Sequence, residues 1–465
     1  MANRKTNLNL EGLTDRVVPA VAGISFYNGT LSIRLDNQGG TLNVFGGTAT
    51  NASNFKLDFG GKPIGNASGY NVTNAINITG GNGKDTVAFA PQAAAAYRIP
   101  GNLNINLGNG DDTITTKGAF AVNGSANINV GNGTDAINFS NNAAGDSTTV
   151  NGNLTVNMLA GSDTLTATLG SLTVNGFTTI NGGNDVQLNN ASATGVGVLL
   201  NSLTINSTAG ETIANSLDMG VKTQLRGNLV FISGSFSDDV AIDGSTILGN
   251  ATINLGQGDN TVNISKTTDS TINGSLTVIS GNGVDNIEFT NAADTTVSGS
   301  VTLNLGNGGN IVTLDGTGGS LIGGALTILA GTGDDAVTIG SAGKLFSING
   351  SASITLGNSI TTTAGGGNEL TFASTQIGGN LSYVGGTGAD TVTFTDDTVA
   401  NVVGGRVSAN MGGGADTFEI DSGAAGAGTT AFGSLYLDFG VGSGPDKFTN
   451  ESGVDFDIFI YNFVG

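Results

Sequence analysis

Cysteine, histidine and tryptophan are absent from the 465 residues, and proline occurs only 5 times. Without cysteine there are no disulfides and no thiolate chemistry. Without histidine the commonest general base and metal ligand is missing, which removes Ser-His-Asp triads and ordinary zinc sites. The proline count excludes collagen and proline-rich linkers. Charge is scarce as well: 11% of residues are charged, and 36 acidic against 15 basic side chains leave a net charge of -21. That balance disfavours nucleic acid and anionic membrane surfaces as partners. No apolar run reaches 18 residues, so no transmembrane segment is expected.

What the chain has instead is glycine, 78 residues of it, together with regularly recurring apolar residues that make up 38% of the total. A disordered chain would not bury such a pattern, and the regularity points to repeats. The stretch GGNGKDTVA at 80–88 returns as LGNGDDTIT at 107–115, VGNGTDAIN at 130–138, SGNGVDNIE at 280–288, AGTGDDAVT at 330–338 and GGTGADTVT at 385–393. MGGGADTFE at 411–419 and VGSGPDKFT at 441–449 complete the clear copies, while 260 and 310 carry Asn where the others carry Asp. Weaker copies place the aligned acidic position at 163, 185, 211 and 238, and 368 is again Asn. The spacing runs from 22 to 33 residues and is 25 at each step from 260 to 335.

Upstream of each turn lies a segment such as LTVNM at 154–158, apolar at alternate positions, and downstream lies another, such as TVTF at 391–394. Period two is the strand signal. One such unit cannot bury its own apolar face, so the units must stack. The chain therefore reads as all-β: a single parallel β-helix, or β-solenoid, of about 25 residues per coil and roughly 16 coils. A right-handed winding is what other β-helix proteins imply. The expected organisation is a leader at 1–22, the solenoid at 23–450 and a C-terminal capping strand at 451–465.

The recurring turn admits three chemistries. A phosphate loop needs a helix after it, and here a strand follows every copy. A tight solenoid turn needs Gly and Asn for positive φ and Asp or Asn for side-chain-to-backbone bonds. The third is calcium. The pattern G-G-x-G-x-D-x-U-x, with U apolar, is matched in full at 80–88 and 385–393 and resembles the nonapeptide of RTX calcium-binding proteins. That resemblance implies Ca²⁺ held between stacked turns, with Asp85, Asp112, Asp135, Asp285, Asp335, Asp390, Asp416 and Asp446 as metal ligands. Repulsion between carboxylates stacked in adjacent coils favours a cation at 85, 112 and 135, whereas the alternation Asn260, Asp285, Asn310, Asp335 separates the charges without one. RTX nonapeptides follow one another directly; here one occurs per coil, so a single turn column could bind.

LNLEGLTDRVVPA at 8–20 resembles the segment that opens many planctomycete-type exported or cell-surface proteins, through Leu10, Glu11, Leu13, Asp15, Arg16, Pro19 and Ala20. It implies export and an extracellular or cell-surface location. The expected function is a non-catalytic structural or adhesive rod that contacts cell-surface or extracellular-matrix polymers or self-associates. Two alternatives stand beside it. Many parallel β-helices are polysaccharide lyases or hydrolases, but the doubled acids at 111–112, 238–239, 334–335 and 396–397 have no basic neighbours in sequence. Outward Thr and Asn pairs, such as Thr204/Asn206 and Thr302/Asn304, also suit an ice-binding face, which the irregular repeat lengths oppose.

Overall fold

The computed structural model describes residues 21–92, 96–139, 145–189, 197–207, 214–290, 292–359, 367–395, 398–421, 430–441, 444–452 and 457–463. Residues 1–20, most of the expected leader, lie outside them; Val21 already belongs to the first strand, Val21–Tyr27. Among the described residues no helix is long and apolar enough to cross a membrane.

The chain is an all-β parallel solenoid of about 14 turns with about 25 residues per turn. Most coils lay down three short strands, one on each of three faces; in others, as at Ser171–Asn181 and Val402–Asn410, the third- and first-face strands run on as one. Leu276–Ser280 is on the first face, Asn286–Phe289 on the second and Thr295–Val297 on the third; Val301–Gly306 then returns to the first face one coil further on. Every strand pairs in parallel with its equivalents one coil before and one coil after. Leu276 lies beside Val301, Asn286 beside Ile311 and Thr296 beside Leu321. The glycine-rich turn joins the first face to the second.

Alternation fixes which side chains enter the lumen. In Leu154–Met158, Leu154, Val156 and Met158 are buried while Thr155 and Asn157 face outward. Stacking brings like onto like, so Ile105 continues as Ile128 and then Val156. Each such buried aliphatic contributes about 1.5–3 kcal/mol relative to an exposed one. Aromatics fill the wider parts of the lumen: the ring centroids of Phe89 and Phe120 lie 5.1 Å apart, and those of Phe372 and Phe394 4.7 Å apart.

The two ends differ. At the N-terminal end Val21–Tyr27 folds back antiparallel on Thr30–Leu35, and Gly40–Gly46 pairs antiparallel with Asn54–Phe59, so hairpins cap a first rung whose strands Thr30–Leu35 and Gly40–Gly46 already pair in parallel with Ile76–Thr79 and Asp85–Pro91. At the C-terminal end Asp457–Tyr461 adds one more parallel rung beside Ser434–Asp438. Phe459 stacks on Tyr436 at 4.6 Å and Phe463 packs on Phe439 at 5.2 Å.

Candidate functional site: a buried aspartate and asparagine ladder

The residue that leaves each glycine-rich turn sits at an inward position of the second face. Asp85 is buried together with Val87 and Phe89, while Thr86 and Ala88 between them face out. The same parity holds in every coil and carries an acidic or amide side chain into one corner of the lumen. Fifteen positions form this column: 85, 112, 135, 163, 184, 215, 238, 260, 285, 310, 335, 368, 390, 416 and 446.

They are joined by one repeated hydrogen bond. The backbone N–H of each rung donates to Oδ1 of the rung one coil later. The bond is 2.7 Å from Asp85 to Asp112 and from Asp112 to Asp135, and 2.9 Å from Asp135 to Asp163. It recurs from Asp163 to Asn184, from Asn215 through Asp238, Asn260, Asp285, Asn310, Asp335, Asn368 and Asp390 to Asp416, and finally to Asp446, never longer than 3.3 Å. One link differs: Asn184 reaches Asn215 through its side-chain amide at 3.4 Å. Asp and Asn are interchangeable here because each offers Oδ1 as an acceptor.

All eight predicted residues, Asp85, Asp112, Asp135, Asp285, Asp335, Asp390, Asp416 and Asp446, lie in this column. The structure adds Asp163 and Asp238, which sequence alignment had placed at equivalent positions, and it moves two rungs. Asn184, not Asp185, is the rung: Asp185 is one residue further on, beside Thr164. Asn215 is the rung of the next coil, since Ser216 lies beside Asp239; Glu211, which the alignment selected, lies outside the described residues. An acidic side chain marked the repeat in both weak copies, whereas the ladder needs only an acceptor oxygen.

The glycines make room for the stack. Gly131 has φ +87°, and a Cβ on it would fall on the carbonyl oxygen of Gly108 in the coil before. Gly133 meets Gly110 in the same way. The turn carbonyls are also committed along the stack: Gly81 accepts from Asn109 N–H at 3.0 Å, Gly108 from Asn132 at 3.2 Å and Asn132 from Gly110 at 2.9 Å.

Burial sets the electrostatics. It pushes the Asp85, Asp112, Asp335 and Asp390 carboxyls up to about 6. It pushes Asp135 and Asp416 to about 7, where acidic rungs on both sides add repulsion. Asp163 and Asp285 are raised by burial too. Hydrogen bonds to Oδ1 oppose the shift without cancelling it. The second oxygen, Oδ2, of Asp112, Asp135, Asp163, Asp335 and Asp416 is buried without a hydrogen-bond partner. Asp112, Asp135, Asp335 and Asp416 can therefore hold a proton near neutral pH.

The same geometry tests the calcium reading. Ca²⁺ takes six to eight oxygens. Asp112, Asp135, Asp163, Asp335 and Asp416 each supply one uncommitted oxygen, Asp85 supplies two, and Asp390 Oδ2 already accepts from Gly386 N–H; the turn carbonyls bond to amides of neighbouring coils, and no group of three acidic side chains gathers as a metal-holding cluster among the described residues. This donor set does not fit a site of the RTX kind.

A second ladder runs along the corner between the third and first faces, in the opposite sense. There the N–H of a later coil donates to a side-chain oxygen of the earlier one. Ser125 donates to Asn102 at 2.9 Å, Ser275 to Asn250 at 2.9 Å and Ser300 to Ser275 at 3.2 Å. Outside both ladders, a hollow on the second face is lined by Asp218, Asp239, Asp243 and Lys266. Asp243 is held there by the N–H groups of Thr267 and Thr268, both at 2.8 Å.

Compared with protein-family models, with curated proteins and with solved structures, the chain finds no match.

Proposed function

We propose that this chain is a non-catalytic structural rod, exported or displayed at a cell surface, whose sides contact surface or matrix polymers or further copies of itself. The observation that carries this reading is the unbroken rung column. From 85 to 446 the coils share the same corner and, at every link but Asn184 to Asn215, the same hydrogen bond, so the repeated chemistry is spent on joining coils. An enzyme of this fold concentrates unlike groups in one cleft. Here the acids of the repeat point inward and are distributed along the length.

At about 4.8 Å per coil, about 14 turns make a rod about 65–70 Å long. Small-angle X-ray scattering of the purified chain tests this: an elongated particle with that long dimension supports the reading, and a compact particle overturns it. Uronate release from pectin or alginate would instead point to the acidic hollow near Asp218 and Asp239 as a catalytic cleft. The reading requires no metal, so melting in millimolar Ca²⁺ and in chelator should coincide; a Ca²⁺-dependent rise of several degrees would restore calcium to the turns.

A further inference from the structure

The first face differs from the second in charge. Its outward side chains form two columns, one from Asn77 to Ser408 and one from Thr79 to Asn410, 14 positions each, and none of the 28 is charged. The second face carries Asp185, Asp218, Asp239, Glu288, Glu369 and Glu419 at the equivalent outward positions. In a chain of net charge -21, this run of uncharged positions, bounded by Arg34 at one end and Asp438 at the other, disfavours strongly ionic partners.

At its N-terminal end this face is also grooved. Two shallow hollows of about 330 and 320 Å³ share Asn77 and Thr79. Together they run from Ser32 to Asn157, about 20 Å along the axis at the strand spacing. Paired amides form the walls, about 7 Å apart across each strand. Asn104 donates its side-chain amide to Asn77 at 2.8 Å, Asn127 to Asn104 at 3.0 Å and Asn129 to Asn106 at 3.2 Å. A primary amide has two donors and two acceptor lone pairs. A ladder bond uses one of each, so a donor and an acceptor per residue remain along the groove.

The ladder breaks at one point. Pairing shifts register between Asn129 and Gly131, and Oδ1 of Asn129 is shielded from solvent without a hydrogen-bond partner. A new ladder starts above it, with Asn181 donating to Asn157 at 2.8 Å.

The geometry points to this groove as a binding site for an uncharged polysaccharide chain lying along the solenoid axis. Sugar hydroxyls both donate and accept, which matches the repeated free valences of the amides. An acidic polysaccharide finds one cation, Arg34 at the N-terminal end of the groove, none from Asn77 to Asn157, and meets the field of the acidic chain. A peptide strand finds no open sheet edge on this face. The inference rests on the reading of a polymer-contacting rod and names the face and the polymer class.

The test is affinity electrophoresis of the full chain through gels containing a neutral β-glucan, galactomannan, xylan or dextran, with polygalacturonate as the acidic control. Retardation by at least one neutral polymer and not by polygalacturonate is expected. N104T/N127T/N129T places in the groove the residue that already occupies the first column at 155, 179 and 204, and it should weaken retardation at least tenfold without lowering the melting temperature. The single variant N129T, which removes the Asn129 Oδ1 acceptor together with the amide bond to Asn106, gives the same readout should the triple variant fold poorly. N263T on the second face should bind as the parent does. No retardation by any neutral polymer, equal retardation by polygalacturonate, or full retention by N129T overturns the inference. A chain that scatters as a rod yet is never retarded loses this inference and keeps the structural reading; a compact particle loses both.

Discussion

At the scale of single residues, Asp135 shows what a rung does. Its Oδ1 accepts the Asp112 N–H, its own N–H donates to Asp163, and its Oδ2 has no partner. The first role needs an oxygen and the second only a backbone, so neither needs a charge. Asp135→Asn should therefore melt at the same temperature as the parent, or higher, at pH 8, where the parent holds a buried carboxylate between two others. Asp135→Ala removes the acceptor, leaves the Asp112 amide unpaired in the lumen, and should cost about 1–3 kcal/mol. Urea midpoints of both variants check this; an Asn variant as damaged as the Ala variant would mean that the charge itself is needed, as a bound cation requires. The turn has its own single-residue test. Gly131→Ala combines positive φ with overlap onto the Gly108 carbonyl oxygen, a backbone atom that cannot yield without breaking the stack. It should lose more than about 2 kcal/mol, read as a lowered urea midpoint or loss of folded protein.

At the scale of the element, the rungs act together as a column of acids that binds protons better folded than unfolded. The ordinary carboxylate titrates near 4, and the folded values lie at about 6 for Asp85, Asp112, Asp335 and Asp390 and about 7 for Asp135 and Asp416. Between those limits the folded chain carries more protons, so its stability falls as pH rises. The contribution is complete below about pH 4, is lost as pH passes through about 6 to 7, and is flat above. Thermal melts should accordingly be higher at pH 5 than at pH 8, and the variant D112N/D135N/D163N should flatten that slope. A melting temperature that climbs from pH 5 to pH 8, or a slope unchanged in the triple variant, would refute the protonated column.

The column also shows what could be read from the chain alone. Strand alternation, the turn and the step of 25 residues were legible because each depends on local chemistry repeated many times. The inward aim of the aspartates was not, because Gly-x-Asp before a strand is compatible with a side chain on either side of the sheet. Parity with Val87 and Phe89 decides it, and that parity starts only where the turn ends. Asn184 and Asn215 were misplaced for a related reason. Their coils have lost the glycine spacing, and a nearby acid, Asp185 one residue after the rung in one coil and Glu211 four residues before it in the other, looked like the marker. The outward amide groove was legible only as alternating Asn and Thr; its charge-free continuity appears once coils are in register.

At the scale of the whole molecule, a stack held by nearest-neighbour bonds should tolerate removal of coils, provided the register is kept. The chain offers a clean place to test this. Asn260 and Asn310 are equivalent rungs separated by two coils, with Asp285 between them and Asp335 after. Deleting residues 261–310 joins Asn260 to Ile311, so the next rung is Asp335 and the Asn–Asp alternation continues. Each face then pairs strands of the same type: Ala251–Gly256 meets Leu326–Ala330, and Thr261–Ile264 is replaced by Ile311–Leu314. No lumen residue loses a neighbour of its own kind, and both end structures are untouched. The shortened chain should fold cooperatively and lose about 10 Å of length, two coils at about 4.8 Å each, with an unchanged cross-section in X-ray scattering. Deleting residues 261–272, half a coil, instead sets second-face strands against third-face strands and leaves Asn260 without its acceptor, so it should fail to give a folded rod. Equal behaviour of the two deletions would show that coil register does not govern the fold.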